Sequence, residues 1–332
     1  MRCAGPSLNL AERHWYRLSW LSIALAPVSA AFGAAVALRR LAYRSGWLRA
    51  TRLPVPVVVV GNVVAGGTGK TPAVLWLVDA LRARGFRPGI VSRGYRGENE
   101  APREVLPGGD PSRFGDEPVL LAERSRAPTW IGRDRAGAGR ALLAAHPACD
   151  LLICDDGLQH YALARSFEIA VEDERGHGNG LLLPAGPLRE PPGRPVDALV
   201  LNGAPPRAGA FAMHLEPAGF CRVADPGREV SVESLRGKRL HAVAGIGNPR
   251  RFFATLESLG LRFTPHAFPD HHAFAERDLE YADCDAVLMT EKDAVKCRRF
   301  ARDNLFALRV EARVDDRLAD LIASRLHGRQ AA

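Results

Sequence analysis

The 332-residue sequence predicts an α/β protein: a phosphate-loop unit on a mostly parallel sheet, a smaller α/β unit after it, and an apolar helix ahead of both. Three patterns point there. A β-branched run, VVVV at 57–60, leads into the glycine-rich GNVVAGGTGKTP of 61–72 and then into a helical pattern from Lys70 to Arg84. Short apolar runs recur downstream, separated by segments of helical length, as a sheet covered on both faces requires. Residues 18–38 carry no charged side chain.

That first segment, LSWLSIALAPVSAAFGAAVAL, is just long enough to cross a bilayer. Arg13 and Arg17 precede it and Arg39, Arg40 and Arg44 follow, so flanking charge assigns no orientation. On a helix, Leu21, Leu25, Val28, Phe32 and Val36 share one stripe, while Ser22, Ala26, Ser29 and Gly33 share another, with Pro27 between. Such asymmetry suits a helix lying in the interface, or packed on protein along its small face, at least as well as a spanning one. A cleaved signal peptide conflicts with an ATP site downstream, and a buried core helix with so apolar an N-terminal stretch. Membrane association is the expectation.

The glycine loop departs from the usual G-x-x-x-x-G-K-[ST] by one residue: Val64 stands where the outer glycine belongs. Gly66, Gly67 and Gly69, with Thr68 among them, still let successive backbone N–H groups turn toward phosphate without a Cβ in the way. Lys70 supplies a charge for the β and γ phosphates, Thr71 a hydroxyl for Mg²⁺, and Pro72 falls in the first helical turn, where its missing N–H is harmless. LLICDDGLQHY, from Leu151, provides the acidic strand end that completes such a site. Asp155 and Asp156 are the Mg²⁺ candidates, and which of them touches the ion is left open.

Further strands are expected at 89–94, 167–173 and 197–203, with a proline loop, LLLPAGPLREPPGRPV, at 181–196 near the strand ends. The pattern weakens over 206–238, a plausible connection between a kinase unit at 46–205 and a C-terminal unit at 239–332; residues 1–45 form the apolar helix and its flank. In the last segment 239–260 reads as strand, glycine turn and amphipathic helix, and 286–293 and 304–314 as strands. Its G-I-G-N is too short for a dinucleotide fingerprint and reads as a structural turn. The net charge of +8 and pI near 9.5 suit an anionic partner. Six cysteines without metal spacing read as reduced, mostly buried thiols.

Together VVVVGNVVAGGTGKTP, SRGYRG, FGDEP, DDGLQH, PLRE, the DHHAF around His271 and TEKD, in this order over 57–293, resemble the tetraacyldisaccharide 4′-kinase family, the lipid A 4′-kinases of Gram-negative bacteria. The family loop itself lacks the outer glycine. The resemblance implies a P-loop NTPase-like α/β/α domain and a second, smaller α/β/α domain joined by a small β linker. It implies transfer of the ATP γ-phosphoryl group, with Mg²⁺, to the 4′-hydroxyl of an acylated disaccharide 1-phosphate at the cytosolic face of the inner membrane. No nucleic acid and no obligatory protein partner is expected. It also makes Asp116 and His271 the catalytic pair; residue chemistry alone reads Asp116 as a helix N-cap and His271 as one of a surface pair. Tyr95, His160, Arg189 and Glu190 match other site positions. Arg189 could bind phosphate bidentately, against a rim salt bridge with Glu190; Tyr95 could pack on a ligand or fill the core edge; His160 could be a structural histidine. The rivals are a ParA-like or GTPase-type switch, which lacks its signature lysine because Ala65 stands there, and a kinase for a small soluble metabolite, which leaves the apolar helix unexplained.

Overall fold

The computed structural model describes residues 14–95, 97–98, 100–300 and 302–330; Cys3 and Arg13 lie outside them. In chain order the elements are α1 (Trp20–Arg44), β1 (Val57–Gly61), α2 (Lys70–Arg82), β2 (Pro88–Ser92), β3 (Arg103–Glu104), α3 (Pro111–Phe114), α4 (Asp116–Ser125), β4 (Thr129–Ile131), α5 (Arg135–Ala145) and β5 (Leu151–Asp155). β6 (Phe167–Asp173), β7 (Ala198–Asn202), β8 (Phe211–Arg222), β9 (Glu229–Val230), β10 (Leu240–Ala244), α6 (Pro249–Ser258), β11 (Phe263–Ala267), β12 (Ala286–Thr290), α7 (Glu291–Cys297), β13 (Leu305–Val314) and α8 (Arg317–Gln330) follow.

Among the described residues the strands join into one sheet in the order β11-β10-β12-β13-β8-β7-β6-β1-β5-β2-β4-β3, with β9 against β8. Neighbours are parallel except β8/β13, β8/β9 and β3/β4. β1 sits between β5 and β6 with Val60 opposite Asp155 and Ile169, which brings the phosphate loop and the acidic strand end to the same sheet edge. Buried on both faces, β1 shows why its sequence is an unbroken apolar run. Val58 and Val60 pack on Val74, Leu77 and Leu81 of α2, whereas Val57 and Val59 pack on the α5 side with Leu142. The later strands repeat the scheme, with Phe252 and Leu256 of α6 on one face and Ala294 and Cys297 of α7 on the other. Helix α8 returns to the first core, where Leu318, Ile322 and Leu326 join Leu77 and Leu81. The described cysteines are free, and four of the five are buried.

One expectation is sharpened and one changes. The connection at 206–238 contains a twelve-residue strand, β8, which joins β7 to β13. Its alternation is blurred by exposure along the middle and by Pro217 and Gly219, so no period-2 signal survives. TEKD is also not strand throughout: β12 ends at Thr290, whose side chain accepts from the N–H of Asp293 and starts α7.

Helix α1 begins after its N-cap Ser19 and continues through Pro27 to Arg44. Its small stripe faces the protein. Ser22 and Ser29 are buried, Ser29 Oγ donates to the carbonyl of Leu182 at 2.8 Å, and a Cβ on Gly33 would lie 2.7 Å from Leu182 Cδ1. Trp20, Ile23, Val28, Leu38 and Leu41 are exposed on the outside, as is Trp47 beyond the helix.

Candidate active site

The phosphate loop is built on Gly66 and Gly69, both at positive φ (+104° and +92°), with Gly69 as the N-cap of α2. A Cβ on Gly69 would fall 2.3 Å from Asn202 Nδ2 at the end of β7, and that nitrogen donates to the carbonyl of Thr68 at 2.9 Å. Val64 is buried with Val63, Leu188 and Leu182. The N–H of Ala65 donates to the carbonyl of Pro187, and the N–H of Arg189 to the carbonyl of Val63, both at 2.7 Å. An outer glycine would leave this seam without its valine side chain, so Val64 clamps the proline loop onto the phosphate loop and thereby aims Arg189.

Lys70 Nζ lies 3.5 Å from Asp156 Oδ1, and Arg189 Nη1 donates to the same carboxylate at 3.1 and 3.2 Å. Burial raises the Asp156 pKa, but Lys70 and Arg189 outweigh it and hold the group at about 2. Asp155 differs. It is buried, Ser92 Oγ donates to its Oδ2 at 3.0 Å, and its Oδ1 has no hydrogen-bond partner among the described residues. Burial, then the charges of Glu117 and Asp156, push its carboxyl above the usual range. A buried, orphaned carboxylate oxygen beside a phosphate loop fits a Mg²⁺ site, since the ion would supply both the missing partner and the compensating charge. The alternative for Arg189, a rim pair with Glu190, does not form. Glu190 is buried and instead accepts from Tyr161 (2.7 Å), Gln159 (3.0 Å) and Arg194 (3.1 Å).

Across the cavity, His271 Nδ1 stands 3.0 Å from Asp116 Oδ2 and 3.2 Å from Oδ1. Asp116 is not the N-cap of α4: Gly115 is, and Asp116 is the first helical residue, buried, its Oδ1 accepting from the N–H of Glu117. Burial raises its pKa, yet the His271 hydrogen bond and the Lys292 charge outweigh that and hold it at about 2. An ionised carboxylate only accepts, so the Nδ1 proton belongs to His271. His271 takes a left-handed backbone, φ +58°, and its N–H donates to the carbonyl of Gly245 at 3.1 Å. The Tyr95 ring lies 5.3 Å from that of His271 and is half exposed, so it does not fill a core edge. His160 is held near a pKa of about 4 by burial, then by Arg135 and Arg165, so it is neutral at pH 7.

One cavity of about 950 Å³ takes in Lys70, Asp155, Asp156, Arg189, Tyr95, His160, Glu190 and His271 together with Phe32, Val36 and Arg39 of α1. Sequence reasoning missed four contributors. Lys292 and Glu117, 2.9 Å apart, also line the cavity; they lie inside the TEKD and FGDEP matches but had no assigned role. Arg251 of α6 donates to Asn202 Oδ1 at 2.7 Å, so Asn202 bridges α6 to the phosphate loop, a link no local pattern signals. The G-I-G-N turn packs closely on the phosphate loop, since a Cβ on Gly247 would lie 2.8 Å from the backbone N of Gly67.

A strand, glycine loop and helix with an acidic strand end beside the loop lysine define a P-loop nucleotide-binding protein, and a carboxylate–histidine pair facing that loop is equipment for phosphoryl transfer. The comparisons narrow the class. The family model described as tetraacyldisaccharide-1-P 4′-kinase matches residues 21–327, and the chain belongs to that family. It is 52% identical over 318 residues to the tetraacyldisaccharide 4′-kinase of Methylobacillus flagellatus, covering 95% of each chain. It is 49% identical over 341 residues to that of Azoarcus sp., covering 100% of each. The crystal structure of the "apo" form of LpxK from Aquifex aeolicus in complex with ATP is similar, with a TM-score of 0.78 and 30% identity over 92% of this chain and 99% of that one. Family membership sets aside the switch-type and soluble-metabolite alternatives.

Proposed function

We propose that this protein uses ATP to phosphorylate the 4′-hydroxyl of a tetraacyldisaccharide 1-phosphate, giving the 1,4′-bisphosphate. The observation that carries the reading is the shared cavity: phosphate-loop lysine, histidine and apolar α1 meet in one space, as phosphoryl transfer to a lipid requires. His271, its Nδ1 proton held by Asp116, presents Nε2 as the base that accepts the sugar hydroxyl proton, and Asp116 stabilises the imidazolium that forms. Lys70 and the loop N–H groups hold the phosphates. Thr71 and Asp155 would hold Mg²⁺, which when bound neutralises charge on the β and γ oxygens. Arg189 is a phosphate-binding candidate once nucleotide competes for Asp156; Tyr95 and His160 line the acceptor side, and Glu190 braces Tyr161 and Gln159.

We read 46–205 as the kinase unit, 206–238 as the connection and 239–332 as the unit that brings His271. Helix α1 supports a monotopic seat on the cytosolic face of the inner membrane. Its small face is occupied by protein along much of its length while Trp20, Ile23, Val28, Leu38 and Leu41 are exposed, an arrangement for lying in an interface. The decisive assay is transfer of labelled γ-phosphate from ATP to tetraacyldisaccharide 1-phosphate in detergent micelles. Product labelled at the 4′-position is expected; ATP turnover without lipid product would overturn the reading. Removing residues 1–38 should release the protein from vesicles and raise the lipid KM far more than the ATP KM; unchanged sedimentation and lipid KM would contradict the membrane seat.

A further inference from the structure

We propose that Lys292 is a further catalytic residue, an ammonium from the later half of the chain that donates to Nε2 of His271 in the resting site and adds a cation to the cavity in which the phosphoryl group is transferred. This rests on the phosphoryl-transfer reading above. Lys292 Nζ lies 2.9 Å from Glu117 Oε1, 3.3 Å from Asp270 Oδ1 and 3.4 Å from His271 Nε2. An ammonium can only donate, so Nε2 must be the accepting partner. Asp116 imposes the same tautomer from the other side of the ring by taking the Nδ1 proton. The tautomer is therefore set from both ends, and the sugar hydroxyl must take the place of the Lys292 ammonium at the Nε2 lone pair before its proton can be accepted.

Position and charge state both follow from the sequence. The Thr290 cap starts α7 at Glu291, which places Lys292 in its first turn. Burial lowers the Lys292 pKa, but Glu117, Asp116 and Asp270 outweigh burial and raise it, so the side chain stays charged through neutral pH. Lys70 and Lys292 line the same cavity, one from the phosphate loop and one from α7. Charge spread over the oxygens of a transferring phosphoryl group thus meets cations from both halves of the molecule, which also makes assembly of the halves a condition of catalysis.

Among the described residues, the charged groups near His271 include Asp116 and Glu117 from α4, Asp270 on its own loop, and Lys292 and Lys296 from α7, with the ring of Tyr95 beside it. Removing Lys292 takes a like charge away from the place where an imidazolium forms, so the base becomes easier to protonate.

The test compares Lys292→Met, Lys292→Gln and Lys292→Arg with the unmodified full-length protein in the micelle assay. Calorimetric ATP binding and ¹⁵N spectra of the His271 ring accompany the rates. Expected for Lys292→Met are a kcat loss of roughly 10²-fold or more, ATP affinity within about threefold, and an acidic limb of kcat/KM moved up by about one pH unit. The ring should keep the Nδ1–H tautomer that Asp116 imposes while its Nε2 resonance moves as the ammonium donor is lost, and Lys292→Arg should recover at least about tenfold in kcat. Lys292→Gln reads the same quantities should the methionine variant fail to fold. A kcat within about threefold of normal overturns the proposal. So does a kcat loss with an unmoved limb and an unmoved Nε2 resonance, which would mark a purely structural role. If the unmodified protein makes no lipid product, the kinase reading fails; if it does and the variants match it, only the role of Lys292 fails.

Discussion

The two ends of the cavity were built in different ways. At the phosphate-loop end, residues 61–71 form a continuous strand–loop–helix unit, and its acidic partners sit on β5, hydrogen-bonded directly to β1. At the dyad end, Asp116 and His271 are separated by 155 residues, come from α4 and from the loop after β11, and meet only because α4 packs against α7. A local motif is positioned by backbone geometry and glycine placement. A dyad assembled across the molecule is positioned by side-chain contacts such as Glu117–Lys292, and by a left-handed backbone at a histidine. Damage at the phosphate loop should therefore fall mainly on phosphate handling, and damage at the dyad mainly on proton transfer.

The largest effect is expected at the local end. Lys70→Ala removes the charge that follows the γ-phosphoryl group, and kcat should fall by roughly 10³-fold or more while lipid binding persists. Turnover near normal would dissolve the distinction between the two ends.

Arg251 and Asn202 tie α6 to the phosphate-loop end, so they test whether a distant contact can act on that end alone. Arg251→Ala leaves a buried Asn202 oxygen without its donor. It should cost about 1–3 kcal/mol in urea unfolding and raise the ATP KM more than it changes kcat. Asn202→Ala should do the same. A kcat loss with the ATP KM unchanged would place the link at the dyad instead.

How much was readable follows from the same contrast. The glycine loop, Lys70, the acidic strand end and the small stripe of α1 are near-neighbour patterns, so the sequence alone locates them on a loop, a strand end and one helix face. Asp116 was readable only through resemblance, since an acid before Glu-Pro and an apolar run looks like a cap. Asn202, Arg251 and Lys292 act through contacts tens to hundreds of residues apart, and no periodicity encodes those. β8 escaped because half-exposed strands with Pro and Gly lose their alternation. Val64 was anomalous by motif and is explained by packing.

Val64 supplies the smallest and sharpest check. Val64→Gly restores the usual loop pattern but empties the contact with Leu188 and Leu182. Stability should drop by about 2 kcal/mol in urea unfolding, with no gain in kcat. Faster turnover would mean that the outer glycine was missing from the function after all.

The central claim is that Asp116 and His271 act as one proton-accepting unit, and a double-mutant cycle on kcat tests it most directly. Asp116→Ala and His271→Ala should each lower kcat by roughly 10²–10⁴-fold with ATP binding retained, and the double variant should be little worse than the poorer single. Losses that multiply fully would show two independent roles and contradict the account.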